Sequence, residues 1–103
     1  MTEQEFRLQA DRALEGVQKA LLPLADQEGF EVELQNGVLQ VIFEDPSHAK
    51  FVVSPNAPVR QVWLSAMSRS YKLAWSDDAS AFALDGETLS SLVERLARQH
   101  LSA

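Results

Sequence analysis

The sequence has no cysteine among its 103 residues. Disulfides, thiolate nucleophiles and thiolate metal ligands are therefore excluded. Basic residues are also scarce, because nine Lys and Arg stand against fifteen Asp and Glu, for a formal net charge of -6. A surface that binds nucleic acid through its phosphates needs an excess of positive charge, so we expect no nucleic-acid partner.

Long apolar runs and common catalytic motifs are missing as well. No stretch approaches the roughly 18 apolar residues of a membrane-spanning helix, and the acidic N-terminus lacks the apolar core of a signal peptide. We therefore expect a cytoplasmic protein with no membrane partner. There is no phosphate-binding glycine loop and no recognisable nucleophile–base spacing. A ferroxidase of the di-iron bundle class would need Glu-x-x-His pairs, which are absent, so we expect no enzyme.

Helical periodicity is present at both ends of the chain. Apolar residues recur at three- and four-residue steps over residues 3–22, which predicts an amphipathic helix. Thr2 followed by Glu5 has the spacing of a capping box, and Pro23 is expected to end or kink this helix. Asp85 is the predicted N-cap of a second helix that runs to the C-terminus.

Strand periodicity fills the middle of the chain. Residues 30–44 alternate between apolar and polar side chains around Asn36-Gly37, which predicts a hairpin with a tight turn. Further strands are predicted over residues 50–54, 60–65, 71–75 and 81–84, and the proline-containing residues 54–58 are predicted to form a loop. The sequence therefore predicts one domain over residues 1–103. Its fold class is α+β, a two-layer sandwich with the N- and C-terminal helices on one face of an antiparallel five- to six-stranded sheet.

Negative charge is crowded into the first half of the chain. Residues 1–45 hold ten acidic and three basic residues. Glu31 and Glu33 share one face of a strand, and Asp11 and Glu15 share one face of a helix. Clustered carboxylates suit hard cations, which an open surface would hold weakly. The alternative is a solvated ladder of ion pairs at four-residue spacing, formed by Arg7, Asp11, Glu15 and Lys19.

One aromatic residue is predicted to face solvent. In the strand over residues 60–65, Val62 and Leu64 alternate with Gln61 and Trp63. If the apolar pair faces the helices, Trp63 stands on the open sheet face, where an exposed tryptophan is a common anchor of protein interfaces. A shift of the pattern by one residue would instead bury Trp63 in the core.

Three segments together resemble the frataxin family, particularly its bacterial members. They are Asn36-Gly37-Val38-Leu39, Gln61-Val62-Trp63-Leu64-Ser65 and Asp85-Gly86-Glu87-Thr88-Leu89, and the resemblance extends over essentially the whole chain in the same element order. It implies an iron-binding accessory protein of iron–sulfur cluster assembly. The implied partners are a cysteine desulfurase and the iron–sulfur scaffold protein.

The resemblance also implies where iron and partners bind. Iron, as Fe2+ or Fe3+, would bind weakly to an acidic ridge on the first helix and first strand, and the tryptophan on the sheet would contact partners. The positions that correspond to the ridge are Asp11, Glu15, Asp26, Glu28, Glu31, Glu33 and Glu44. The sheet site would be Gln61 and Trp63. A monomer is expected, with iron-dependent oligomerisation left open, and a metal-independent adaptor that uses the sheet face around Trp63 is the alternative function.

Overall fold

The computed structural model describes residues 1–102, which form two helices and one antiparallel sheet. The strands follow one another in space as they do in the chain, from β1 at one edge to β7 at the other. The elements are α1 (Glu3–Glu28), β1 (Glu31–Gln35), β2 (Val38–Phe43), β3 (Ala49–Asn56), a 3-10 turn (Ala57–Val59), β4 (Gln61–Ala66), β5 (Arg69–Ser76), β6 (Ala81–Leu84), β7 (Glu87–Thr88) and α2 (Leu89–Leu101).

The first helix begins as predicted and ends later than predicted. The Thr2 hydroxyl accepts a hydrogen bond from the Glu5 amide at 3.1 Å. Of the two outcomes expected for Pro23, an end or a kink, the end is wrong, because the helix continues to Glu28 and closes on Gly29 in the left-handed conformation. A proline inside a helix costs about 3 kcal/mol. Continuing the helix offsets part of that cost because Leu24 and Ala25, the two residues after the proline, are buried.

The strands confirm the predicted hairpin and extend one strand through a proline. Asn36 and Gly37 both have positive φ, at 53° and 74°, as a two-residue type I′ turn requires. The predicted loop over residues 54–58 is wrong at its start, since β3 runs to Asn56. Pairing with β2 stops at Val53. The missing N–H of Pro55 therefore removes no hydrogen bond on that side.

The start of the second helix also differs from the prediction. Asp85 is not its N-cap, because Asp85 and Gly86 have positive φ and form the turn between β6 and β7. The N-cap is Thr88, whose hydroxyl accepts from the Ser91 amide at 3.4 Å. The two-residue β7 is the seventh strand. It was missed because two residues are too few to show an alternating pattern.

Both helices pack on the same face of the sheet and enclose the core. Phe6 and Leu14 of α1, Leu92 of α2, and Val41 and Leu64 of the sheet are each at most 2% exposed. The opposite sheet face meets solvent, as predicted. Within residues 1–102, no helix is both long and apolar enough to cross a membrane.

Candidate cation and partner site

The first hairpin displays two carboxylates on the open sheet face. Glu31 and Glu33 are exposed, while Val32 and Leu34 point towards the helices. Residues two apart on a strand are about 7 Å apart. That separation is shorter than the screening length in physiological salt, so the two charges act on an approaching partner together.

Two more carboxylates lie on the flank of α1 that overhangs β1. Asp11 and Glu15 are exposed, and with Leu14, Leu34 and Gly37 they line a groove of about 200 Å³ between the helix and the hairpin. The structure therefore places four of the predicted ridge residues beside β1, two on each face of the sheet. Glu31 and Glu33 lie on the open face, and Asp11 and Glu15 lie on the helix side.

The remaining ridge residues lie elsewhere. Asp26 and Glu28 lie beyond the helix predicted over residues 3–22, but both belong to the last turns of α1. Glu28 lines a shallow pocket with Arg98 of α2, beside a positive charge. Glu44 is exposed in the turn after β2. The acidic residues therefore form one group beside β1 and three separate outlying positions.

The geometry of these carboxylates fits a loosely held cation rather than a caged one. Within residues 1–102, no three Asp, Glu or His side chains converge closely enough to hold a metal ion. Carboxylate oxygens are the donors that hard cations prefer. An ion bound here would keep much of its water shell, because one or two carboxylates fill only part of the coordination sphere.

The alternative interpretation, a ladder of ion pairs on α1, does not match the contacts of this helix. Arg7 pairs with Glu3, with 3.7 Å between Nε and Oε2, and both side chains are largely exposed. In the part of the chain that the structure describes, Asp11, Glu15 and Lys19 form no salt bridge. Arg7 lines a pocket with Asp11, and Lys19 lies one helical turn after Glu15, so basic side chains are near these two carboxylates without contacting them.

The open sheet face carries an ordered tryptophan. Val62 and Leu64 are fully buried and Trp63 is 36% exposed, which confirms the predicted phase of β4. The Trp63 indole N–H donates to the side-chain oxygen of Gln61 at 2.9 Å, and the Lys72 ammonium lies 4.9 Å from the ring centroid. A hydrogen bond and a cation–π contact thus hold the indole in place.

His100 is a structural residue that the sequence analysis did not identify. It is the buried polar residue of α2, at 6% exposure, and its ring centroid lies 4.7 Å from that of Phe43. Nε2 lies 3.1 Å from the Ser47 carbonyl oxygen. A carbonyl oxygen can only accept, so Nε2 carries the proton. The contact holds the turn after β2, which includes Glu44, against the end of α2.

A two-point ion pair joins Glu87 of β7 to α2, outside the acidic group. Arg95 of α2 donates from Nε and from an Nη atom to the two carboxylate oxygens of Glu87, each at 2.9 Å. These hydrogen bonds hold the pKa of the Glu87 carboxyl below its ordinary value of 4.5. The pair connects β7 to α2. It leaves Arg95 unavailable to the acidic group on the opposite sheet edge.

Comparison with known proteins agrees with this architecture. The chain matches the frataxin-like domain over residues 1–103. It is 32% identical to the iron-sulfur cluster assembly protein CyaY of Pseudomonas fluorescens (strain SBW25), covering 87% of this chain and 84% of the relative. It is 30% identical to the protein of the same name from Janthinobacterium sp. (strain Marseille), covering 96% and 90%.

A solved structure shares the fold. Frataxin from Psychromonas ingrahamii superposes with a TM-score of 0.67 at 20% identity, covering 96% of this chain and 91% of that one. At that identity the likeness concerns the fold alone. The match over the full chain and the identity to the curated relatives show more: this protein belongs to the frataxin-like family.

Proposed function

We propose that this protein is an iron-binding accessory protein of iron–sulfur cluster assembly. Its relatives named as iron-sulfur cluster assembly proteins align over most of their length, which supports a role in the same process. The observation that carries the proposal is the group of four exposed carboxylates, Asp11, Glu15, Glu31 and Glu33, on either side of β1. We call this group the β1 acidic group.

Iron is the cargo of this site. Fe2+ or Fe3+ would contact carboxylate oxygens of the β1 acidic group and keep water on its remaining positions, which favours weak binding and ready transfer. Asp26, Glu28 and Glu44 would add outlying contacts. Glu28 is the weakest of these candidates, because Arg98 lines the same pocket and a neighbouring cation opposes binding of a second one.

The same carboxylates would steer a basic partner surface. The proposed partners are the cysteine desulfurase that supplies sulfur and the scaffold on which the cluster forms. A net charge of -6, with its excess in residues 1–45, would attract a basic patch over about a screening length. Association should therefore be strong at low salt and weaken at high salt. Equal binding at both salt concentrations in a pull-down would contradict this electrostatic part.

Iron binding is tested by anaerobic titration of Fe2+ into labelled protein, with paramagnetic broadening of the amide NMR signals as the readout. Wild type should broaden first within residues 11–45, and E31Q/E33Q should need several-fold more iron for the same effect. The matched control D78N/E94Q removes two negative charges outside the β1 acidic group and should titrate like wild type. Equal broadening in all three proteins would refute a local site.

A second candidate function is an adaptor that needs no metal. The observation that favours it is the held indole of Trp63 beside Gln61 and Lys72 on an otherwise open sheet face. W63A should then weaken binding to the scaffold or desulfurase equally with and without iron. If W63A binds normally while E31Q/E33Q does not, the adaptor proposal is wrong.

The proposed function also specifies the oligomeric state of the protein and whether it oxidises iron. We infer a cytoplasmic monomer of one frataxin-like domain that modulates another enzyme and is not itself a ferroxidase. Oxygen consumption with Fe2+ should then be no faster than in buffer, and light scattering should give the monomer mass without iron. Faster consumption would make the protein an enzyme, and a larger mass without iron would exclude the monomer.

A further inference from the structure

The outer edge of β1 is an unpaired sheet edge. The sheet order begins with β1, and within residues 1–102 no strand lies beyond it. The residues that flank a two-residue turn form a hydrogen-bonded pair, here Gln35 and Val38. Hydrogen-bonded and non-hydrogen-bonded residue pairs alternate along an antiparallel ladder. The backbone of Glu33 is therefore also hydrogen-bonded to β2, through its partner Gln40. The backbone N–H and C=O of Val32 and Leu34 therefore point outwards, away from β2.

The side chains at this edge are incompletely covered. Val32 and Leu34 face the helix layer but are only half-buried, whereas Leu39 and Val41 on the neighbouring strand are fully buried. In α1, Leu22 is 45% exposed. It lies seven residues after Glu15 and so on the same side of the helix. A strip of apolar surface thus borders the unpaired backbone groups.

Acidic side chains lie on both sides of the β1 edge, and their charge favours a basic segment as the strand that pairs with it. Glu31 and Glu33 border the edge on the open face, and Asp11 and Glu15 border it on the helix side, where they share a groove with Leu34. A second copy of β1 is a poor occupant, because Glu31 and Glu33 would face their own copies. A basic strand would instead have its charges neutralised.

We propose that the outer edge of β1 takes up an extended basic segment of a partner protein as an added strand. The proposal rests on the proposed function, because the segment would belong to the basic partner named there. Main-chain hydrogen bonds to Val32 and Leu34 give the affinity. Alternation gives the specificity, with Lys or Arg on the open face beside Glu31 and Glu33 and apolar side chains against Leu22 and Leu34.

The test uses a blocked seven-residue peptide that alternates lysine and valine. A second peptide is N-methylated at every backbone nitrogen, so that it keeps the lysine charges but has no backbone N–H donors. The unmodified peptide should slow amide hydrogen exchange at Val32 and Leu34 by at least about tenfold when bound, as new hydrogen bonds form. The methylated peptide should bind at least about tenfold more weakly. Equal affinity with no protection would leave only charge attraction and overturn the added strand.

A variant of the protein separates this inference from the proposed function. V32P removes an outward N–H and no hydrogen bond to β2, which proline tolerates at a sheet edge, and a native amide NMR spectrum verifies its fold. V32P should bind the desulfurase more weakly, whereas E94Q should bind it like wild type. Unchanged binding by folded V32P overturns the added strand and leaves the proposed function standing. Protection by the peptide without any desulfurase binding supports the added strand and refutes the proposed partner.

Discussion

Removal of the His100 side chain should destabilise the fold by about 2 kcal/mol. The hydrogen bond from Nε2 to the Ser47 carbonyl, at 3.1 Å, contributes about 1 kcal/mol. Packing of the ring on Phe43, at 4.7 Å, contributes about 1 kcal/mol more. In a domain of this size, H100A should therefore lower the melting temperature by about 10 °C.

Two further substitutions separate the contribution of the hydrogen bond to Ser47 from that of ring packing on Phe43. H100F keeps an aromatic ring against Phe43 and loses the hydrogen bond, so it should lie between wild type and H100A in urea unfolding at pH 7. H100Q keeps a donor and loses the ring, and should also lie between them. If H100A unfolds at the urea concentration of wild type, the contact between α2 and the turn at Ser47 contributes nothing to stability and the reasoning is refuted.

Two other predictions concern the start of α2. E87Q should lower the free energy of unfolding at pH 7, because Arg95 holds the pKa of Glu87 below 4.5. That stabilisation is present above the pKa of Glu87 in the unfolded chain and is lost as the pH falls through its pKa in the folded protein. The free energies of unfolding of E87Q and wild type, measured with urea, should therefore converge below pH 4.5. A constant difference at all pH values would contradict this prediction. T88A should cost about 1 kcal/mol through the lost N-cap. D85G removes the Asp85 side chain, keeps a residue that accepts the positive φ at this position, and should not disturb a cap. Equal effects of T88A and D85G on helix stability would show that Thr88 is not the cap.

Local patterns predicted most of the fold. The alternation around Asn36-Gly37 and the helical periodicity in residues 3–22 were sufficient to place the hairpin, α1 and the core face of the sheet. Pro23 and Asp85 misled the prediction because their local preferences were overridden by other interactions. Burial of Leu24 continues α1 past its proline, and Thr88 supplies a cap closer to α2 than Asp85 does.

The sequence predicted the parts of the site that lie within one strand or helix, but not the contacts between elements. Alternation placed Glu31 and Glu33 on one face and Trp63 on the open sheet face. No pattern could show that Asp11 and Glu15 overhang β1, because that depends on how α1 crosses the sheet. His100 had a detectable signal, since it lies four residues after Leu96 on the buried stripe of α2. Its contact with Ser47, across more than fifty residues, had none.

The central claim is that carboxylates beside β1 bind a basic partner, and reversal of their charge tests it most directly. The measurement is the affinity of the cysteine desulfurase for E31K/E33K, with D78K/E94K as the matched control and desulfurase turnover as a second readout. At low salt, E31K/E33K should bind at least about tenfold more weakly than wild type and lose its effect on turnover, and the difference should shrink as salt is raised. The control should stay much closer to wild type. Equal loss in both variants, or none in E31K/E33K, would contradict the claim.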